Sequence, residues 1–188
     1  VATSRPRRSA HDAQDSGAAR EVTMTTLLIC YSMTIVASHY LASFLQATLH
    51  RVFGHWPGAG KLYQTHVYSH HGIYSGENLI AEKYNDEEKS VTHYYFVPVA
   101  VLEVFAFLAL PLGIFITHVV AILSSYWAHL YVHEQFHLSK TRLARFAWFK
   151  RKRKLHLLHH RDTSANFGVL SFVWDRLMGT YRDAGARA

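Results

Sequence analysis

The chain has 188 residues, a formal net charge of +7 with histidine counted as neutral, 15 histidines and 1 cysteine. That length fits a single domain. Because Cys30 is alone and lies in an apolar stretch, a disulfide framework, a cysteine zinc module and an iron–sulfur cluster are excluded, and any metal must be held mainly by histidine.

In chain order, residues 1–20 carry Arg5, Pro6, Arg7, Arg8, Ser16 and Gly17 without apolar periodicity. They are predicted to form a disordered basic arm in which His11 is inert. Residues 21–188 are predicted to form one membrane domain. Val22 to Leu49 holds no Asp, Glu, Lys or Arg over 28 residues, too long for a cleavable signal peptide and long enough to cross a bilayer. As a helix, 22–49 would reach about 42 Å, more than a hydrocarbon core of about 30 Å, so it delivers His50 to the interface.

Tyr94 to His133 contains one charged residue, Glu103, and is interrupted by Pro111-Leu-Gly113. Proline and glycine disfavour a continuous helix there. Two helices, about 94–110 and 113–133, are predicted to form a hairpin that dips into or crosses the membrane, with His93 as a polar residue at the interface.

From His137 to Arg161 the chain carries Lys140, Arg142, Arg145, Lys150, Arg151, Lys152, Arg153, Lys154 and Arg161 with no acid. Beside a membrane hairpin, such a run marks the cytoplasmic side and contacts anionic headgroups. Nucleic acid is not an expected partner. With the hairpin returning, the end of the first helix, the loop 50–93, the end of the third helix and the tail share that side. The expected fold is therefore all-α, an integral-membrane helical bundle with a cytoplasmic helical cap.

The histidines cluster in that cap: His50 and His55 in HRVFGH, His66, His70 and His71 in HVYSHH, His129 and His133 in HLYVH, and His156, His159 and His160 in HLLHH. Spacings of three and four place side chains on one helical face, where two imidazoles reach one ion. Ten imidazoles exceed what one tetrahedral or octahedral ion uses, so a two-metal site follows. His137 extends the third cluster by one turn and is left outside the ligand set as a spare ligand or supporting donor. His39 and His118 fall within apolar helices and are expected to be satisfied there, by helix packing or by a bond to a hydroxyl. Imidazole suits iron, zinc, copper and nickel alike.

The order of these clusters, followed by NFGVLSFVWDRLMGT, resembles the fatty acid hydroxylase and sterol desaturase superfamily of membrane di-iron enzymes over roughly 45–181. The resemblance implies that His50, His55, His66, His70, His71, His129, His133, His156, His159 and His160 are the metal ligands. It implies two iron ions, for which zinc substitutes on purification, and O2 as co-substrate. The second cluster departs from the common His-x-x-His-His spacing by one extra residue, which on a regular α-helix turns His66 by about 100°.

The activity so implied is hydroxylation of an unactivated C–H bond of a lipid-like substrate, fatty acyl, sterol or carotenoid, with desaturation on the same scaffold as the alternative. A membrane metal transporter or metal-binding protein is the reading from another class. Each turnover needs two external electrons. With no cysteine set and no Gly-x-Gly-x-x-Gly fingerprint, a separate electron donor of cytochrome, ferredoxin or flavin reductase type is expected, docking on Lys150 to Lys154. Asp162 and Asp175 are candidate partners for imidazole N–H groups. The expected location is a bacterial cytoplasmic membrane, with the endoplasmic reticulum open.

Overall fold

The computed structural model describes residues 10–85 and 96–183; His93 lies outside them. Among the described residues the secondary structure is helical: α1 (Ala10–Leu49), α2 (Lys61–Gln64), α3 (His71–Ile73), α4 (Phe96–Ala109), α5 (Leu112–His137), α6 (Ala147–His159) and α7 (Val173–Leu177).

Helix α1 is a single rod of 40 residues. The stretch Val22–Gly54, made of most of α1 and the π turn that continues it, and the whole of α5 are each long and apolar enough to cross a membrane. Both leave large apolar side chains exposed, among them Leu28, Met33, Val36, Ile116, Val120 and Trp127. A water-facing surface would not carry such a belt, whereas lipid tails accept it. The helix starts at Ala10, inside the stretch expected to be a disordered arm; residues 1–9 lie outside those described. Ala10, Ala13, Ala18 and Ala19 are strong helix formers, and a long helix already nucleated in the apolar stretch propagates through them at little cost.

The predicted break falls at Leu110-Pro111. Pro111 stands at the N-terminal cap of α5 with φ −56° and ψ 141°, an extended geometry that ends α4. At 14 residues, about 21 Å of helix, α4 is shorter than α5, which runs on to His137 rather than stopping at 133. Helix α1 packs along α5, and α4 along α5 as well.

Beyond the membrane-length helices the chain folds into a cap. A small apolar core of Val132, Phe136, Phe149 and Val169, with Leu143 and Leu170 against it, joins the end of α5 to α6 and to the loop before α7. Arg153 donates from Nε to the Phe136 carbonyl at 2.9 Å and from its terminal nitrogen to the Leu138 carbonyl at 2.6 Å. These bonds answer carbonyls left open at the α5 C-terminus. Lys152 donates to the Leu170 carbonyl. Two members of the basic run are thus structural, and burial pulls both below their ordinary pKa. Lys150, Arg151 and Lys154 remain exposed.

Candidate metal centre

Two stretches of π-helix, His50–Gly54 and Thr65–His70, hold the first two histidine clusters. A π turn takes up an additional residue inside an α-helical run. His66 therefore keeps its place in the cluster despite the extra residue in HVYSHH: its Nε2 lies 3.2 Å from His71 Nε2, five residues on. His50 and His55, also five apart, meet at 3.3 Å. Gly54 closes the first segment against the second, where a Cβ would lie 3.0 Å from Cδ2 of both His50 and His66. A side chain there would press both imidazoles back by a few tenths of an ångström.

The histidines converge as two adjacent groups. The first comprises His50, His55, His66, His71 and His159, and the second His70, His137, His156 and His160; within each group one nitrogen per residue lies within 4.8 Å of all the others. The His71 and His160 rings stack at 4.2 Å, so the groups share a wall. Eight of the ten sequence candidates enter these groups. His133 stands beside the second, its ring 4.8 Å from His70 and 4.7 Å from His156, and His129 stacks behind it at 5.9 Å. His137, left outside the ligand set on sequence, is fully buried inside the second group. Its signal was the continued four-residue stripe His129, His133, His137 along α5.

Backbone carbonyls orient the rings. The Nδ1–H of His50 donates to Phe167 O at 2.8 Å, that of His159 to Ala165 O at 2.7 Å, that of His160 to Tyr74 O at 2.8 Å and that of His137 to Leu79 O at 2.9 Å. A carbonyl only accepts, so each of these four rings presents the Nε2 lone pair inward. In the first group both His50 and His159 aim lone pairs at His55 Nε2, at 3.3 and 3.1 Å. In the second, His137 and His160 aim theirs at His156 Nε2, at 2.9 and 3.2 Å.

A neutral imidazole has one N–H and can serve only one such neighbour. Extra protons do not resolve the conflict, because burial, reinforced by the neighbouring imidazoles, holds His70, His71, His156 and His159 well below the usual histidine range. It brings His55 down to about 3 and His160 to about 2. His70 Nε2 is also buried with no hydrogen-bond partner among the described residues.

A cation in each group removes the conflict. Nitrogens bound at about 2.0–2.1 Å to one ion stand about 3.0 Å apart at right angles and about 3.4 Å apart at the tetrahedral angle. The observed Nε2 separations of 2.8 to 3.3 Å match such edges. The donor set thus fits two metal ions, the second next to His133.

The loop from Ala165 to Gly168 carries two of the orienting carbonyls, and its own fixing is elaborate. Asn166 is fully buried in the left-handed region at φ 58°, which asparagine tolerates better than most residues. Its side chain donates to Leu155 O and Arg182 O and accepts from Arg182 N at 2.9 Å. Asp175, fully buried, accepts from Phe167 N at 2.7 Å, Gly168 N at 2.9 Å and Thr180 Oγ1 at 2.9 Å. Burial pushes this carboxyl upward against those three donors. A Cβ on Gly168 would lie 2.3 Å from Ser171 O and 2.8 Å from Asp175 Oδ2, so the turn requires glycine.

From α1, Gln46 donates to Phe167 O at 3.0 Å and accepts from Val169 N at 3.1 Å. Asp175 therefore acts on the histidines through the backbone, and not as the direct imidazole partner suggested by sequence. Asp162 bonds Ser164 instead. Sequence reasoning missed Gln46, whose spacing carries no motif.

An apolar cavity of about 1070 Å³ lies between α1, α4 and α5. His50, His66, His129 and His133 line it at the cap, and Phe107 and Phe115 line it at the α4–α5 turn. His39 and His118, within the apolar helices, bond Ser125 Oγ at 2.9 Å and Ser38 Oγ at 2.7 Å, as expected.

Comparison with protein families matches residues 35–180 to the model of the fatty acid hydroxylase family. The matched span takes in every histidine of both groups and the loop that Asp175 secures. Comparisons with curated proteins and with solved structures gave no match.

Proposed function

Since the chain belongs to the fatty acid hydroxylase family, we propose that it is a membrane-bound di-iron oxygenase that hydroxylates an unactivated C–H bond of a lipid-like substrate. The observation that carries this reading is the apolar cavity running along the membrane-length helices and bordered by His50, His66, His129 and His133. Its lining suits a fatty acyl, sterol or carotenoid skeleton that enters from the bilayer.

His50, His55, His66, His71 and His159 would hold one ion, and His70, His137, His156 and His160 the other. Bound iron would supply the activation of O2 with two external electrons. The chain's own work is positional. The four carbonyl-bound histidines keep their inward tautomer, the Asp175-secured loop keeps His50 and His159 in place, and the apolar walls bring the substrate carbon to the histidine end and exclude water.

The metal site faces the cytoplasm in this reading, at a bacterial or endoplasmic reticulum membrane, because the exposed Lys150, Arg151 and Lys154 lie on the same cap. They offer a docking face to an acidic electron donor of cytochrome, ferredoxin or flavin reductase type. A transport path would need free polar groups at mid-membrane depth. His39 and His118 are instead tied to serines and Glu103 to His118, while the two histidine groups crowd at one end of the helices, which favours the enzyme.

Iron per chain, measured on protein purified after iron-supplemented expression, together with oxygen uptake under reductant and candidate lipids, tests the assignment. About two irons, substrate-dependent uptake and a mono-oxygenated product are expected; an alkene product would make it the desaturase of the same scaffold. Stoichiometric zinc, with no oxygen uptake after exchange for iron, overturns it.

A further inference from the structure

Along α4, and along α5 from Phe115 to Leu123, every side chain lining the cavity is apolar except Glu103. A carboxyl in such surroundings is costly, and an intramembrane ionisable residue is kept there for a purpose. Part of that purpose is visible: Glu103 Oε1 lies 3.3 Å from His118 Nε2, and His118 Nδ1 lies 2.7 Å from Ser38 Oγ, a polar chain across α4, α5 and α1. Tying helices together would occupy one carboxyl oxygen. The other, Oε2, is buried with no hydrogen-bond partner among the described residues. Glu103 itself borders the cavity, and the terminal torsion of a glutamate is soft enough for a small turn of the carboxyl to present this oxygen there.

His118 and His133 both lie on α5, about 22 Å apart along its axis. The carboxyl therefore stands near the end of the cavity remote from the histidine groups.

We propose that Glu103 is a specificity-determining residue: Oε2 accepts a hydrogen bond from a hydroxyl carried by the substrate roughly 20 Å from the carbon presented to the histidines. The preferred substrate is then an elongated apolar molecule with a hydrogen-bond donor at its far end, not a plain hydrocarbon tail. A donor there satisfies Oε2, and a methyl terminus leaves it buried and unsatisfied. This inference rests on the cavity being the substrate site.

The test measures binding and needs no turnover. Protein in nanodiscs is equilibrated with an equal mixture of hexadecanol, hexadecyl methyl ether and hexadecane, and each probe carried above protein-free discs is quantified by gas chromatography. Wild type should carry the alcohol over the ether by about three- to tenfold, the range for one hydrogen bond. Glu103→Gln, which keeps an acceptor oxygen, should retain the preference. Glu103→Leu should abolish it, and Glu103→Met gives a second route to the same loss if the leucine variant does not fold. Equal carriage of alcohol and ether by wild type overturns the proposal. So does a preference that survives in the Leu or Met variant, since the hydroxyl would then rest among the histidines. If none of the probes is carried, the cavity is not the substrate site and the inference falls with that reading; failure of the alcohol preference alone leaves the reading standing.

Discussion

His50 Nδ1 lies 2.8 Å from the carbonyl oxygen of Phe167, across 117 residues of sequence. That contact joins the end of a membrane-length helix to the loop that Asp175 secures, and it fixes which nitrogen of His50 faces the metal group. Asp175 touches no imidazole, yet its two backbone bonds hold the Phe167 and Gly168 amides on one side of the loop while the Ala165 and Phe167 carbonyls address His159 and His50.

Asp175→Ala should therefore act on the metal centre at a distance. It leaves two buried amides without acceptors, about 1–3 kcal/mol each, and frees both orienting carbonyls. Metal affinity of the first group should fall about 10- to 100-fold, as for other losses of ligand support. Metal per chain after dialysis against a graded chelator reads this. Unchanged retention in a folded variant would show that the carbonyls do not position the rings.

His137→Gln should cost the second ion while sparing the first. His137 is fully buried and its Nε2 is 2.9 Å from His156 Nε2. Metal content should drop from about two ions to about one, as expected where two ions have separate ligand sets. Two ions retained in the variant would remove His137 from the ligand set.

Much of this architecture is legible in the order of residues alone. Runs without charge mark α1 and α5, Pro111 marks the break, and the four histidine clusters contain eight of the nine residues that converge. His137 is visible as the next step of an α5 stripe but cannot be told from a supporting donor by spacing alone. The π turns are hidden because spacing reads angles on a regular helix, and HVYSHH is not on one. The carbonyls of Tyr74, Leu79, Ala165 and Phe167 have no signature at all, since every residue carries a carbonyl and only tertiary folding selects four of them. Lys152 and Arg153 resemble surface charge in the sequence, and only their carbonyl partners in the fold show otherwise.

Acid should loosen the metal-free cap. Unfolded histidines take up protons near pH 6.5, whereas His55 in the fold does so only at about 3 and His160 at about 2. A folded pKa below the unfolded one means that stability is fully present above pH 6.5 and is lost as pH falls through the window down to those values. The melting temperature of chelator-stripped protein should fall steadily from about pH 7 to about pH 5, well before carboxylates titrate. Metal-loaded protein should melt higher at neutral pH and lose its metal over the same window. An unchanged melting temperature of stripped protein across that range would contradict the neutral, buried state of the cluster.

Charge reversal at Lys150, Arg151 and Lys154 should slow turnover supported by an acidic protein donor. It should leave metal content, and turnover driven by a small chemical reductant, unchanged. Lys152 and Arg153 are poor choices for this test, because their bonds to cap carbonyls would confound docking with folding. A salt titration of the wild type provides the companion measurement, since docking by surface charge weakens with ionic strength. Donor-supported rates that are indifferent to both changes would place the docking face elsewhere.

Deleting Tyr68 should be tolerated. The residue is 68% exposed within the π segment Thr65–His70, and its removal restores the His-x-x-His-His spacing. A π turn is an α-helix holding one residue too many, so the shortened segment can close as a regular α-helix with His66 still on the face of the doublet. Metal content should stay near wild type and the melting temperature should not fall. Inserting one alanine at the same place should do the opposite, because a second extra residue turns His66 by about another 100° with no further turn to absorb it. Loss of the first group's metal in the deletion variant, with the fold intact, would show that the π geometry itself, and not merely the placement of His66, is needed to hold the ion.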